Sequence, residues 1–143
     1  MRVTAKLIVV ILGLLAALPA LADNRADCKS TNSERADKAC AAIIKAGRET
    51  KKVLAVAYTN RANSYRKKGE HDLAIADYDK AIALNPKYAD AYGGRGAVYS
   101  NRGEHDLAIA DYDKAIALKP KFAEAYGNRG LAYDSKEIGR AHV

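Results

Sequence analysis

Three sets of residues in this 143-residue chain have the types and spacing to do chemistry. His71 lies between Glu70 and Asp72, and His105 between Glu104 and Asp106; an imidazole beside a carboxylate is a general acid–base pair. Cys28 and Cys40, the only cysteines, could bridge or take part in redox exchange. Arg61, Arg95 and Arg129 recur every 34 residues, a row of guanidinium groups suited to carboxylates. Spacing argues against catalysis. The two histidines occupy the same turn position of successive units, so they do not converge on one point, and each reads more simply as a solvated turn. No H-E-x-x-H, G-x-S-x-G, phosphate-binding loop or paired-cysteine metal spacing occurs. The reading is non-enzymatic, with no cofactor and no metal.

The elements that must position these residues come from a repeat. Gly69 to Leu84 recurs unchanged as Gly103 to Leu118, an offset of 34, and Pro86 and Pro120 keep it. A period of that size means stacked supersecondary units whose extended surface holds a partner. Leu73, Ala74, Tyr78, Ala81 and Ile82 fall at three- and four-residue steps, as do Tyr58, Ala62 and Tyr65. Tyr92, Gly96 and Tyr99 repeat the second set, and Tyr126, Gly130 and Tyr133 begin it again. Each period therefore predicts helix, glycine turn (Gly69, Gly103), helix, and a proline-marked turn. Asp77, Asp79 and Lys80 read as an exposed face, with Asp77 and Lys80 at helical i,i+3 spacing.

On these residues the chain resembles the tetratricopeptide repeat: aromatic, small and aromatic on one helix, then Ala, aromatic, Ala and a closing proline. One repeat spans Ala55 to Tyr88 and the next Ala89 to Phe122; a third starts at Ala123 and supplies its first helix. Glu34 to Ala46 resembles a degenerate second helix, with Ala36, Cys40 and Ile43 at the small, large and small positions. Its link to the next helix is longer than the period allows. The expected fold is all-α, a helical-hairpin solenoid over residues 55–136 preceded by a degenerate segment over 23–54. The family usually has leucine where Arg61, Arg95 and Arg129 stand. Two readings follow: a cationic ladder for an acidic partner, or stems packed between helices with heads snorkelling out beside Tyr58, Tyr92 and Tyr126. The packing position favours the second.

In this family the first helices line a concave groove. The resemblance places there Val56, Thr59, Asn60, Asn63, Arg66 and Lys67, then Asp90, Gly93, Gly94, Ala97, Ser100 and Asn101, then Glu124, Gly127, Asn128, Leu131 and Asp134. The family's clamp for a terminal carboxylate is absent, because Thr59 replaces its first lysine and Asp90, Gly93 and Gly94 fill the next helix. Asn60, Asn63 and Asn128 can pair with the backbone of an extended peptide or helix. Gly93, Gly94 and Gly127 are expected to leave room for a ligand. A merely solvated groove is the competing reading.

The ends carry other signals. Arg2 and Lys6 precede an uncharged apolar run, Leu7 to Leu18, then Pro19 and Ala20-Leu21-Ala22. That is the pattern of a secretory signal over residues 1–22, with no stable membrane insertion once it is removed. Export points to the periplasm or the extracellular space. Without Arg2 and Lys6 the formal charge falls from +7 to +5, a mild preference for acidic surfaces; no basic run suits nucleic acid. In an oxidising compartment Cys28 and Cys40 either bridge or stay as two free thiols. One straight helix would hold them about 18 Å apart, so a bridge needs the turn that Ser30-Thr31-Asn32-Ser33 offers. Thr31 and Glu34 have capping-box spacing, which predicts a helix start. At the other end Glu137 stands where the turn glycine should be. The heptapeptide 137–143 is what a common sequencing-library adapter encodes in this frame, so it is expected to be a non-native or irregular tail on an interrupted array. The last first-type helix would then be uncapped and prone to fray or self-associate. The function expected is an exported scaffold binding a protein or peptide; the alternative is the targeting arm of a larger enzyme.

Overall fold

The computed structural model describes residues 23–141; the signal reading of 1–22 and the last two residues of the expected tail lie outside them. After a helical turn over 23–27 come α1 (Ser33–Ala46), α2 (Lys51–Lys67), α3 (His71–Leu84), α4 (Ala89–Asn101), α5 (His105–Leu118) and α6 (Ala123–Ala141). No strand occurs among the described residues. Each helix packs on the next, and α2 and α4, then α4 and α6, also touch. The chain is an all-α solenoid in which α2/α3 and α4/α5 are full hairpins.

Local chemistry sets the turns. Gly69 and Gly103 adopt φ of 76° and 75°, a left-handed conformation that a Cβ disfavours. There the Glu70 and Glu104 amides donate to Tyr65 and Tyr99 carbonyls at 2.9 Å, closing α2 and α4. Glu137 cannot make that turn as cheaply. The irregular tail expected over 137–143 is accordingly helical as far as Ala141, making α6 19 residues long against 13 for α4.

Each hairpin core is one tyrosine ringed by alanines. Tyr78 packs among Ala55, Ala62, Ala74, Ala81, Ala91 and Val98; Tyr112 packs among Ala108, Ala115, Ala125 and Ala132. The alanines let helices approach closely, and each tyrosine fills the gap this leaves.

The amino-terminal segment corrects two expectations. The cap of α1 is Asn32, whose side chain accepts from the Arg35 amide at 3.0 Å, one residue beyond the predicted Thr31. The link from α1 to α2 is four residues, 47–50, as long as the link from α3 to α4, 85–88. The surplus over the period is instead an extra helical turn: α2 has 17 residues and α4 has 13. Leu54 of that turn, with Ala57 just beyond it, packs against α1 with Cys40 and Ile43.

Cys28 and Cys40 form a disulfide with Cα atoms 4.8 Å apart, the loop 29–32 bringing Cys28 back along α1. Closing so short a loop restricts the unfolded chain by about 2–3 kcal/mol. Reduction should lower the stability of the α1 segment by that amount while leaving amide exchange in α5 unchanged, since repeats couple mainly to their neighbours. Hydrogen exchange with and without reductant measures both.

All three arginines lie beside the expected tyrosines, Tyr58, Tyr92 and Tyr126, but the heads of Arg61 and Arg95 do not snorkel out. Arg61 donates through Nε and Nη2 to Asp77 Oδ2 and Oδ1 at 2.6 and 2.8 Å. Arg95 holds Asp111 through the same two nitrogens, both at 2.8 Å, and reaches back through Nη1 to Asp79 of the preceding hairpin at 2.5 Å. Arg129 makes the same backward bond to Asp113 at 2.6 Å. The Arg61 guanidinium carbon lies 5.6 Å from the Tyr58 ring and 5.8 Å from Tyr65; Arg95 sits 5.8 Å from both Tyr92 and Tyr99. Donating hydrogen bonds to these carboxylates pushes both guanidinium pKa values upward against the opposing effect of burial. The cationic ladder is therefore internally neutralised. Asp77, expected on an exposed face beside Lys80, is buried, as is Asp111.

Candidate functional site

The inner sides of α2, α4 and α6 enclose a cavity of about 470 Å³. Thr59, Asn60, Asn63, Arg66, Lys67, Asp90, Gly93, Gly94, Ala97 and Asn128 all line it, as does Glu124. Asn101 does not: it is the last residue of α4 and exposed. Ser100, Gly127, Leu131 and Asp134 are likewise outside its lining. Val56 lines a separate cavity of about 290 Å³ with Val53, Ile43, Lys29 and Lys52, and Asn60 borders both. Val53, Val56, Asn60, Asn63 and Lys67 follow one stripe of α2 at three- and four-residue steps. Along it the surface changes from apolar to amide to cationic.

Tyr88, Tyr112, Lys119, Phe122 and Ala125 also line the larger cavity. Tyr88, Lys119 and Phe122 come from the turns that follow each second helix, and Tyr112 comes from a second helix itself. A mapping confined to first helices misses the aromatics, although Tyr88 and Phe122 stand 34 residues apart.

Two glycines do something other than leave room. A Cβ on Gly94 would lie 2.5 Å from Cε1, Cζ and Oη of Tyr78, and one on Gly93 would lie 3.0 Å from the Phe122 ring. The protein's own rings fill these spaces. Gly127 alone of the three has nothing within 4 Å. With Gly94 above it, Tyr78 extends to donate its hydroxyl to Asn63 Oδ1 at 2.6 Å. Burial pushes that hydroxyl up to about 12, so it remains a protonated donor at neutral pH. Asn63 thus lines the cavity with its Oδ1 already engaged.

The charges divide unevenly. Asp90 is paired with Lys119 at 3.2 Å, and Lys119 lies 4.4 Å from the Phe122 centroid. Arg66 and Lys67 have no carboxylate partner among the described residues. Arg66 Nε is buried without a hydrogen-bond partner. Glu124 is the acidic group that leaves the groove mixed. Thr59 is buried, so its hydroxyl forms part of the wall and cannot do what a clamp lysine would.

His71 and His105 begin α3 and α5 of different hairpins. No group of three or more His, Cys, Asp or Glu able to hold a metal occurs among the described residues, and no described helix is long and apolar enough to cross a membrane.

The family model for the tetratricopeptide repeat matches residues 55–88 and 89–122. No curated protein matches the chain significantly. A crystal structure of MamA protein is 37% identical, with a TM-score of 0.58, over 75% of this chain and 65% of that one; this chain thus spans about two thirds of its length. The first repeat domain of Spaghetti (RPAP3), bound to HSP90 peptide SRMEEVD, is 25% identical with a TM-score of 0.72, over 85% of this chain and 93% of that one. The TPR2B domain of yeast Sti1, in a complex with pHsp70, is 25% identical with a TM-score of 0.69, over 83% and 98%.

Proposed function

Because this chain belongs to the tetratricopeptide repeat family, we propose that it is a protein-interaction module holding an extended segment of a partner protein along the groove of α2, α4 and α6. The observation that carries this reading is the stripe on α2, where Asn60 and Asn63 present amides between apolar Val53 and Val56 and the unpaired cations Arg66 and Lys67. Amides pair with an extended backbone while the flanking groups select side chains. The Spaghetti and Sti1 domains, captured with HSP90 peptide and pHsp70, support a peptide or protein as the ligand class. The missing clamp lysine makes a different anchoring point necessary, and the free charges favour an acidic segment. Export to the periplasm or beyond is part of the proposal, supported by the basic, apolar and small-residue order of residues 1–22 and by the bridged cysteines.

A photocrosslinking residue placed at Asn128, inside the groove, should capture a partner in cells expressing the chain, whereas one at exposed Lys80 on α3 should not. Adding Arg66→Glu and Lys67→Glu should reduce capture about tenfold, the scale of one or two lost charge-assisted contacts. Equal capture from Asn128 and Lys80 would overturn the groove as the binding surface.

A further inference from the structure

The walls of the groove are not all built by the repeats. The cavity of about 290 Å³ at the start of α2 is lined by Ile43, Val53 and Val56 and closed by Arg25, Cys28 and Lys29, which precede α1. A further cavity of about 200 Å³ follows along α2, with residues 28–31 on one side and Asn60, Asn63 and Lys67 on the other. Asn60 lines all three cavities, and Asn63 and Lys67 line both this one and the largest. The three form one continuous channel along α2, with the loop 28–31 as a side wall. That wall is fixed: the disulfide ties it to α1 through Cys40, and Asn60 Nδ2 donates to Cys28 Sγ at 3.9 Å. The start of the channel is apolar with a cationic rim. Arg25 is held by Glu49, but Lys29 and Lys52 have no carboxylate partner among the described residues. Of α1 to α6, only α2 has no acid in its first turn, where Lys51 and Lys52 stand, so the positive end of its dipole adds to these charges.

We infer that the start of the channel anchors one leucine-like side chain of the partner segment, with an acidic residue beside it facing Lys29 and Lys52. The inference rests on the groove reading above and adds a register to it. Continuity with the groove through Asn60 makes the occupant part of the same segment, and the unpaired lysines supply the charge complementarity. From the midpoint of Val53 and Val56 to that of Arg66 and Lys67 is twelve residues of α2, about 18 Å at the helical rise. An extended segment advances about 3.3 Å per residue, and side chains facing the same helix lie an even number of residues apart. Six residues, about 20 Å, is the even spacing nearest that length. The segment recognised is therefore an acid and an apolar residue together, five intervening residues, then a second acid on Arg66 and Lys67. It is internal to the partner, because no free carboxyl terminus is used.

The probe is a phage-displayed library of random twelve-residue peptides, each joined to the coat protein so that no carboxyl terminus is free, selected on the full chain with its disulfide intact. Selected peptides should carry Leu, Ile or Met six residues before Asp or Glu. A synthetic peptide of that form, capped at both ends, should bind about tenfold more tightly than its version with alanine at the apolar position, the lower end of what burying one leucine side chain gives. Val56→Asp in the protein should bring those two affinities together. Lys29→Glu, on an exposed loop residue, should weaken the peptide with the neighbouring acid and leave its glutamine version unchanged. Acidic peptides without the apolar residue, a different spacing, or a leucine preference indifferent to Val56→Asp would overturn the anchor while leaving the groove reading standing. Selection of no peptide at all would overturn the groove reading and the anchor with it. A dimer that Val56→Asp dissolves in a chain that selects no peptide would also overturn the anchor, since it assigns the cavity to a second copy.

Discussion

Arg95→Leu is expected to lower the unfolding free energy by about 3–5 kcal/mol, the range seen when one partner of a buried ion pair is removed. Two carboxylates from different hairpins meet on this guanidinium, and both Arg95 and Asp111 are largely shielded, at 21% and 9% side-chain exposure. Leucine would leave Asp111 buried with no cation. The cost should therefore come mainly from the orphaned carboxylate and not from lost attraction. Two further variants separate these terms. Asp79→Asn removes the half-exposed carboxylate and should cost under about 1 kcal/mol. Arg95→Leu with Asp111→Leu removes both buried charges and should recover most of the loss, since an apolar pair of similar volume often replaces a buried ion pair at little cost. Urea denaturation of these proteins together with the Asp111→Leu single variant closes the double-mutant cycle and gives the Arg95–Asp111 coupling energy. A loss under about 1 kcal/mol for Arg95→Leu would show that the ladder of ion pairs does not hold the hairpins together.

The pairing of Arg95 with Asp111 also shows where the sequence is readable and where it is not. Helix ends at Gly69, Gly103, Pro86 and Pro120 follow from backbone rules that act within four or five residues, so the hairpins were legible in full. The cores were legible too, because alanines and tyrosines at helical spacing have few other places to go. An ion pair between residues 16 apart belongs to the packing of two helices. Arg61 with Asp77 and Arg95 with Asp111 share that separation, but nothing local distinguishes Asp77, which is buried, from Asp79, which is exposed. The groove divides the same way. Its polar residues lie on first helices and follow from the period, whereas Tyr88, Lys119 and Phe122 enter from turns. Gly93 and Gly94 look like space for a ligand until the rings that fill that space are placed, and those rings come from other segments of the chain.

Gly94 and Tyr78 should therefore show a reversal of sign. Tyr78→Ala is expected to cost about 3–5 kcal/mol, because it empties the centre of the first hairpin core and removes the donor that Asn63 accepts from. Gly94→Ala in the natural background should also destabilise, by about 1–2 kcal/mol. A helical alanine gains about 1 kcal/mol over glycine, but its Cβ would stand 2.5 Å from three atoms of a fully buried ring, and overpacking of that kind costs about 1–3 kcal/mol. The Tyr78 hydroxyl would also be driven off Asn63, adding the loss of a short buried hydrogen bond, about 1 kcal/mol. In the Tyr78→Ala background the ring is gone, and only the helical preference remains. There Gly94→Ala should stabilise by up to about 1 kcal/mol. A double-mutant cycle by urea denaturation reads the coupling directly, with an expected interaction energy of about 2–3 kcal/mol. If Gly94→Ala stabilises both backgrounds, the ring does not occupy that space in solution, and the groove has room at Gly94 for a ligand after all.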